Sequence, residues 1–270
     1  MSNNNAIGVF DSGVGGLTCV AELQKILPNE DIIYLGDTAR IPYGTRSKET
    51  VFEYAKQDVA FFREHNVKMI IVACGTVSAV MMTYPIFDDN ELSSGVLYPA
   101  VRAACEATKN KRIGVIATSA SIKSGSYGKA IREIIPDAKL VGQACPMFVP
   151  LVENGYTNRD NEVAKIIARD YLQVMVDEDV DTLIMGCTHY PLLRDIIGDI
   201  LGDKVNLISP GAEAAKYAKR VLSERDMLTS NKSNGKLELY CTDSAELFTE
   251  NVKTILGSDI NGEIYRTTLK

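Results

Sequence analysis

Short apolar runs alternate along the whole chain with longer segments whose apolar positions recur every three or four residues. The runs over 6–10, 31–35, 67–73, 112–117, 139–142, 182–185, 205–208 and 236–240 carry little polar alternation. That pattern predicts parallel strands buried on both faces. Between them, helical periodicity covers 16–27, 48–64, 100–108, 127–135, 161–176, 191–201, 211–222 and 244–256. Within 161–176, Val163, Ile166, Ile167, Tyr171 and Val174 fall on one side of a helical wheel and predict its buried face. Pro191 stands where the first helical turn accepts proline. Residues 230–235, "SNKSNG", predict a surface loop before a late strand. Strand–helix alternation throughout predicts the α/β class with mainly parallel central sheets.

The pattern also repeats. "AIGVFDSGVGGL" near the start resembles "RIGVIATSASI" from Arg112, and "VKMIIVACGTVSA" resembles "VDTLIMGCTHYPL". Each half offers a strand, a turn with small polar residues and a helix, then a strand, a cysteine and a helix. Asp11 and Ser12 correspond to Thr118 and Ser119, and Cys74 corresponds to Cys187. Duplication and chance both remain open on pattern alone. If the halves are related, two pseudo-symmetric α/β units would bring their strand C-termini to one cleft, where open α/β sheets bind ligands.

Composition narrows the function. At 270 residues the chain has room for two domains. Its net charge of −6 and lack of a basic block leave no electrostatic footprint for nucleic acid. No apolar run approaches the roughly 20 residues that cross a bilayer, so no membrane partner is expected. "MSNNNAIGVF" has neither a basic nor a long apolar leader segment, so the predicted location is cytoplasmic. Six cysteines are scattered without a C-x-x-C pair, as expected for thiols in a reducing compartment. Cys187 and His189 alone stand close together, so no metal site is expected. Cys19, Cys105, Cys145 and Cys241 read as structural thiols, and His65 as a solvated helix end. "DSGVGG", residues 11–16, lacks G-x-G-x-x-G spacing and a Lys-Ser/Thr ending, so it reads as a tight strand-to-helix turn rather than a phosphate loop.

A cysteine between a buried strand and a helix sits near a helix N-terminus, where free N–H groups and the dipole favour a thiolate. Thr76 and Thr188 add hydroxyls, and the surrounding N–H groups can cradle a carboxylate. One such cysteine suggests a nucleophile or redox thiol. Two in equivalent places of facing halves suggest a pair of acid/base groups on opposite sides of one carbon, which inverts a stereocentre without a cofactor. A free thiol titrates at about 8.5, so a modest downward shift makes it a base near neutral pH. Its partner must be protonated. Asp11 is positioned to set the state of Cys74, and His189 that of Cys187.

The blocks "FDSGVGGLT", "GDTARIPYG", "VACGTVSA" and "GCTHYPLL" resemble the signature blocks of the glutamate racemases, cofactor-independent enzymes of the aspartate/glutamate racemase superfamily. The resemblance implies two pseudo-symmetric α/β domains, residues 1–98 with 209–270 and an inserted domain 99–208, with the active site in the cleft between them. It implies catalytic cysteines at Cys74 and Cys187, assisted by Asp11, His189 and, in "PLVENG", Glu153. Substrate contacts fall on Asp11, Ser12, Tyr43, Gly44, Gly75, Thr76, Thr118, Thr188 and His189. The implied reaction is interconversion of L- and D-glutamate with no cofactor, supplying bacterial peptidoglycan from a cytoplasmic homodimer. One departure stands out: the related block commonly reads Ala-Cys-Asn-Thr, and this chain has Gly75 in place of the asparagine. A backbone N–H remains and a side-chain amide is lost, at a cost of about 1 kcal/mol of binding. Alternatives are a racemase for aspartate or another small acidic amino acid, a non-catalytic amino-acid-binding relative, and a thiol hydrolase that would use one cysteine.

Overall fold

The computed structural model describes residues 3–257 and 262–269. The strands are β1 (Ile7–Asp11), β2 (Ile32–Gly36), β3 (Met69–Val72), β4 (Ser93–Gly95), β5 (Arg112–Ala117), β6 (Lys139–Ala144), β7 (Thr182–Met185), β8 (Asn206–Ile208), β9 (Leu237–Cys241) and β10 (Gly262–Arg266). They form two separate sheets, ordered β10-β9-β2-β1-β3-β4 and β6-β5-β7-β8. Every pairing in both is parallel. The segment β2-β1-β3-β4 of the first sheet has the same order as β6-β5-β7-β8 of the second. This is the pseudo-symmetry suggested by the repeat: β1 answers to β5, and β3 to β7. The final strands, β9 and β10, return to the first sheet.

Both sheets are covered on both faces, as fully apolar strands require. The helices are α1 (Leu17–Ile26), α2 (Lys48–Glu64), α3 (Gly75–Val80), α4 (Leu97–Ala107), α5 (Ser119–Ser124), α6 (Ser126–Ile134), α7 (Phe148–Glu153), α8 (Glu162–Asp177), α9 (Arg194–Leu201), α10 (Pro210–Glu224) and α11 (Ala245–Leu256). On one face of the first sheet, Leu17, Val20, Ala214, Ala218 and Phe248 pack against Ile7, Val9 and Tyr34. On the other, Val51, Ala55, Val59 and Phe62 of α2 meet Phe10, Leu35 and Val72. The second sheet lies between α8 with α9 on one side and α4 with α6 on the other. Side-chain caps start several helices: Ser47 accepts from the Thr50 N–H at 3.2 Å, and Asn161 from the Ala164 N–H at 3.0 Å. Among the described residues no helix is long and apolar enough to cross a membrane.

Several expectations change. The buried face of α8 is Ala164, Ala168, Leu172 and Met175, with Ile167, Tyr171 and Val174 at its margin, while Val163 and Ile166 are exposed. Small alanines let the helix sit close to the sheet, so the wheel's bulkiest residues do not mark its inner side. The predicted helix 191–201 divides into a 3₁₀ turn at Tyr190–Leu193 and α9. His65 is half-buried rather than solvated, its ring tilted against Phe61 and edge-on to Tyr240, with Nδ1 2.7 Å from the Phe61 carbonyl. The strands β4 and β10 and the short helix α7 were not expected from the pattern, whereas α3 and α5 are the short helices that the repeat places after Cys74 and after β5.

Candidate active site

Because every strand is parallel, each sheet gathers its C-terminal ends along one edge, and the two edges meet at a cavity of about 440 Å³. That is the size of a small-molecule site. All the residues singled out above line it: Asp11, Ser12, Tyr43, Gly44, Cys74, Gly75, Thr76, Thr118, Glu153, Cys187, Thr188 and His189.

From the first lobe, Asp11 ends β1 and is buried. Its Oδ2 accepts from the N–H groups of Gly13 at 3.3 Å and Gly16 at 3.0 Å, which folds the turn 12–16 around the carboxylate. The Tyr34 hydroxyl, donating to the Gly13 carbonyl at 2.8 Å, holds that turn from below. Among the described residues, the enclosed Asp11 Oδ1 has no hydrogen-bond partner. Burial raises the Asp11 pKa, against the lowering influence of His189 and of the Gly16, Gly13 and Ser12 N–H groups. Cys74 leaves β3 and caps α3, and its thiol points to the Ser12 hydroxyl at 3.5 Å.

From the second lobe, a tight turn after β7, with the Cys187 N–H donating to the Met185 carbonyl at 2.9 Å, presents Cys187 to the cavity. Its sulfur lies 3.9 Å from His189 Nδ1. The other ring nitrogen, Nε2, lies 3.1 Å from Glu153 Oε1 at the end of α7. Burial opposes an imidazolium here, but the hydrogen bonds of Cys187 and Glu153 and the charges of Cys187 and Asp11 outweigh it and push His189 up to about 10. Thus two cysteines, each following the equivalent strand of its own lobe, share one cavity, and each has its own polar partner.

The Asp/Glu/Hydantoin racemase family model matches residues 16–218. A glutamate racemase of Geobacter metallireducens is 42% identical over 98% of this chain and 97% of its own length. The chain belongs to the glutamate racemase family. Its fold is also that of the glutamate racemase isoform RacE1 of Bacillus anthracis, with a TM-score of 0.92 and 36% identity over 99% of this chain and 100% of the other. A Francisella tularensis glutamate racemase solved with D-glutamate gives a TM-score of 0.89 at 36% identity over 99% and 98% of the two chains.

This racemase fold corrects one electrostatic expectation. Cys74 is pushed up to about 12, first by burial and then by the Asp11 carboxylate, despite the Ser12 and Val77 groups that favour the thiolate. The start of a six-residue helix does not offset desolvation and a like charge. Tyr43 also differs from a simple substrate contact. Its ring lines the cavity, but its hydroxyl is engaged by Asp37 and, at 3.3 Å, by Asp58 Oδ2. Arg40 joins both carboxylates, so a buried network anchors the turn that carries Gly44. Sequence reasoning did not find Asp58, because a lone carboxylate inside a helical segment reads as solvated. It also missed Ser121, Pro146 and Pro150, which with Ser119, the repeat counterpart of Ser12, complete the second lobe's wall. Cys145, expected to be structural, is buried and lines the cavity.

Proposed function

We propose that this enzyme interconverts L- and D-glutamate by passing the α-proton between two thiols, with no cofactor. The observation that carries the reading is the cavity shared by Cys74 and Cys187, one from each lobe. On this reading the sulfurs serve opposite faces of one α-carbon and exchange roles with direction. The resting charges suit the task. Burial and Asp11 keep the Cys74 thiol protonated, ready to deliver a proton. A protonated His189 is the partner a Cys187 thiolate needs, and Glu153 steadies that imidazolium. Asp11 lines the cavity, and its carboxylate is the negative charge that faces a substrate ammonium on the first-lobe side. Hydroxyls of Ser12, Thr76, Thr118 and Thr188, with N–H groups of Gly44 and Gly75, are the donors for its carboxylates, and Tyr43 contributes its ring. Neutralising the α-carboxylate in a water-poor cleft eases carbanion formation.

The same reading takes residues 1–98 with 209–270 and 99–208 as the two domains, supported by β9 and β10 joining the first sheet and β8 the second. It takes the role as D-glutamate supply for peptidoglycan, the location as cytoplasm and the assembly as a homodimer. Exposed Val163, Ile166 and Val176 on α8 give a second copy an apolar face. The test is a substrate panel followed by circular dichroism on the purified, reduced protein. Turnover of glutamate in both directions, and of aspartate poorly, supports the reading; preferred turnover of aspartate, or binding of glutamate without turnover, overturns it.

A further inference from the structure

The loop that carries Cys187 is gripped from both sides by the first lobe. On one side, a Cβ built on Gly15 would lie 2.3 Å from Thr188 Oγ1 and 2.5 Å from His189 Nδ1, so backbone and loop touch with no room for a side chain. Beside this contact, the Thr18 hydroxyl lies 2.9 Å from the Thr188 carbonyl, linking the two lobes, and 2.9 Å from the Gly15 carbonyl, which shares its proton. On the other side, a Cβ built on Gly75 would lie 2.7 Å from the Gly186 carbonyl oxygen. Gly186 has nowhere to retreat. Its N–H donates to the Ile116 carbonyl at 2.7 Å. A Cβ on Gly186 would itself meet that oxygen at 3.0 Å, and Ala117 Cβ and the Tyr127 hydroxyl at 3.1 Å.

Gly75 directly follows Cys74, and Gly186 directly precedes Cys187. A displacement at this contact therefore passes to the two sulfurs with almost no intervening chain. Because the obstacle is backbone fixed to β5, a side chain at position 75 must move one lobe against the other. We propose that Gly75 and Thr18 are positioning residues that clasp the Cys187 loop and set the gap between the two thiols; this rests on the two-thiol reading above. Glycine in place of the related asparagine exchanges a side-chain amide for a closer approach of the lobes. Proton transfer needs the donor and acceptor within hydrogen-bond reach of the carbon on each face. Hydrogen bonds from the two lobes to the substrate tolerate a shift of a few tenths of an ångström better than proton transfer does, so the larger loss should fall on kcat.

The experiment compares Gly75→Ala, Thr18→Val and Thr18→Ser in the full chain, with Gly198→Ala on α9 as a remote glycine control whose nearest added contact is 3.7 Å. Misplacement of reacting groups by a fraction of an ångström predicts a fall in kcat of roughly tenfold or more for Gly75→Ala in both directions, with KM within about threefold. Thr18→Val should lower kcat by about fivefold, the equivalent of one net hydrogen bond, and Thr18→Ser should restore it. Gly198→Ala should match the wild type. Wild-type kcat in Gly75→Ala overturns the spacing role. If Gly75→Ala does not fold, the Thr18 pair decides, and equal kcat for Val and Ser contradicts the clasp. Full activity in Cys74→Ser or Cys187→Ser would instead overturn the two-thiol reading itself; loss there with full activity in Gly75→Ala rejects only the clasp.

Discussion

His189 Nε2 lies 3.1 Å from Glu153 Oε1, joining the turn after β7 to the end of α7 and giving the imidazole beside Cys187 an anionic partner. Glu153→Gln removes that charge, so the His189 pKa should fall from about 10. The Glu153 side chain is 38% exposed, and the contact is discounted to roughly 1 kcal/mol, or about fivefold in rate. In the direction that begins on Cys187, the alkaline limb of the pH–rate profile should move to lower pH. An unchanged profile would remove Glu153 from the mechanism.

Cys74→Ser and Cys187→Ser keep shape but replace a thiol with a far weaker acid. Each should lower kcat by about 10²- to 10⁴-fold, the range for losing a positioned acid or base. Circular dichroism started from each enantiomer checks both directions. A single variant with full activity both ways would exclude the two-base assignment.

The raised pKa of His189 also links stability to pH. A group whose folded pKa exceeds its unfolded value stabilises the fold fully below the unfolded value, here the ordinary histidine value of 6.5, and loses that contribution as pH rises through about 10. His189→Gln should therefore be less stable than the wild type by a few kcal/mol at acid pH, and the gap should close between those limits. Urea titrations at several pH values measure it. A gap that widens with rising pH would contradict the sign.

Asp58 is fully buried, and burial followed by the nearby Asp37 charge raises its pKa well above the usual range. Burial favours the protonated form of Asp58 over the carboxylate that Arg40 favours, so the amide in Asp58→Asn should cost under about 1 kcal/mol. Tyr43→Phe leaves buried Asp37 short of a donor and should cost about 1–3 kcal/mol, with a raised KM from the loosened turn at Gly44. Thermal melts and initial rates check both variants. Equal destabilisation would mean that Asp58 is held as a carboxylate.

Most of this site was legible because the chemistry stands at strand ends. Asp11, Cys74 and Cys187 each close an apolar run, and parallel strands put such ends along one edge. Parallel strands likewise followed from the apolar runs, while the matching strand order of the two sheets settles in favour of the repeat what the pattern left open. Short elements were hidden. The six-residue helix α7 gives barely two turns of periodicity, and β4, "SSG", has no apolar signature. The pKa of Cys74 was misjudged because a helix start is visible in sequence, whereas burial and the approach of Asp11 are not. The clasp at Gly75 depends on which backbone faces it across the cleft, which no local pattern records.

The central claim is that two thiols act on opposite faces of one carbon, and isotope entry at low conversion tests it most directly. D-glutamate is incubated with the enzyme in deuterated buffer, and both enantiomers are recovered early and analysed at the α-carbon. The two-thiol account predicts L-glutamate carrying α-deuterium, because its proton comes from a second, solvent-exchanged sulfur, while recovered D-glutamate stays unlabelled. Product that retains the original α-hydrogen, or equal early labelling of both enantiomers, would contradict it.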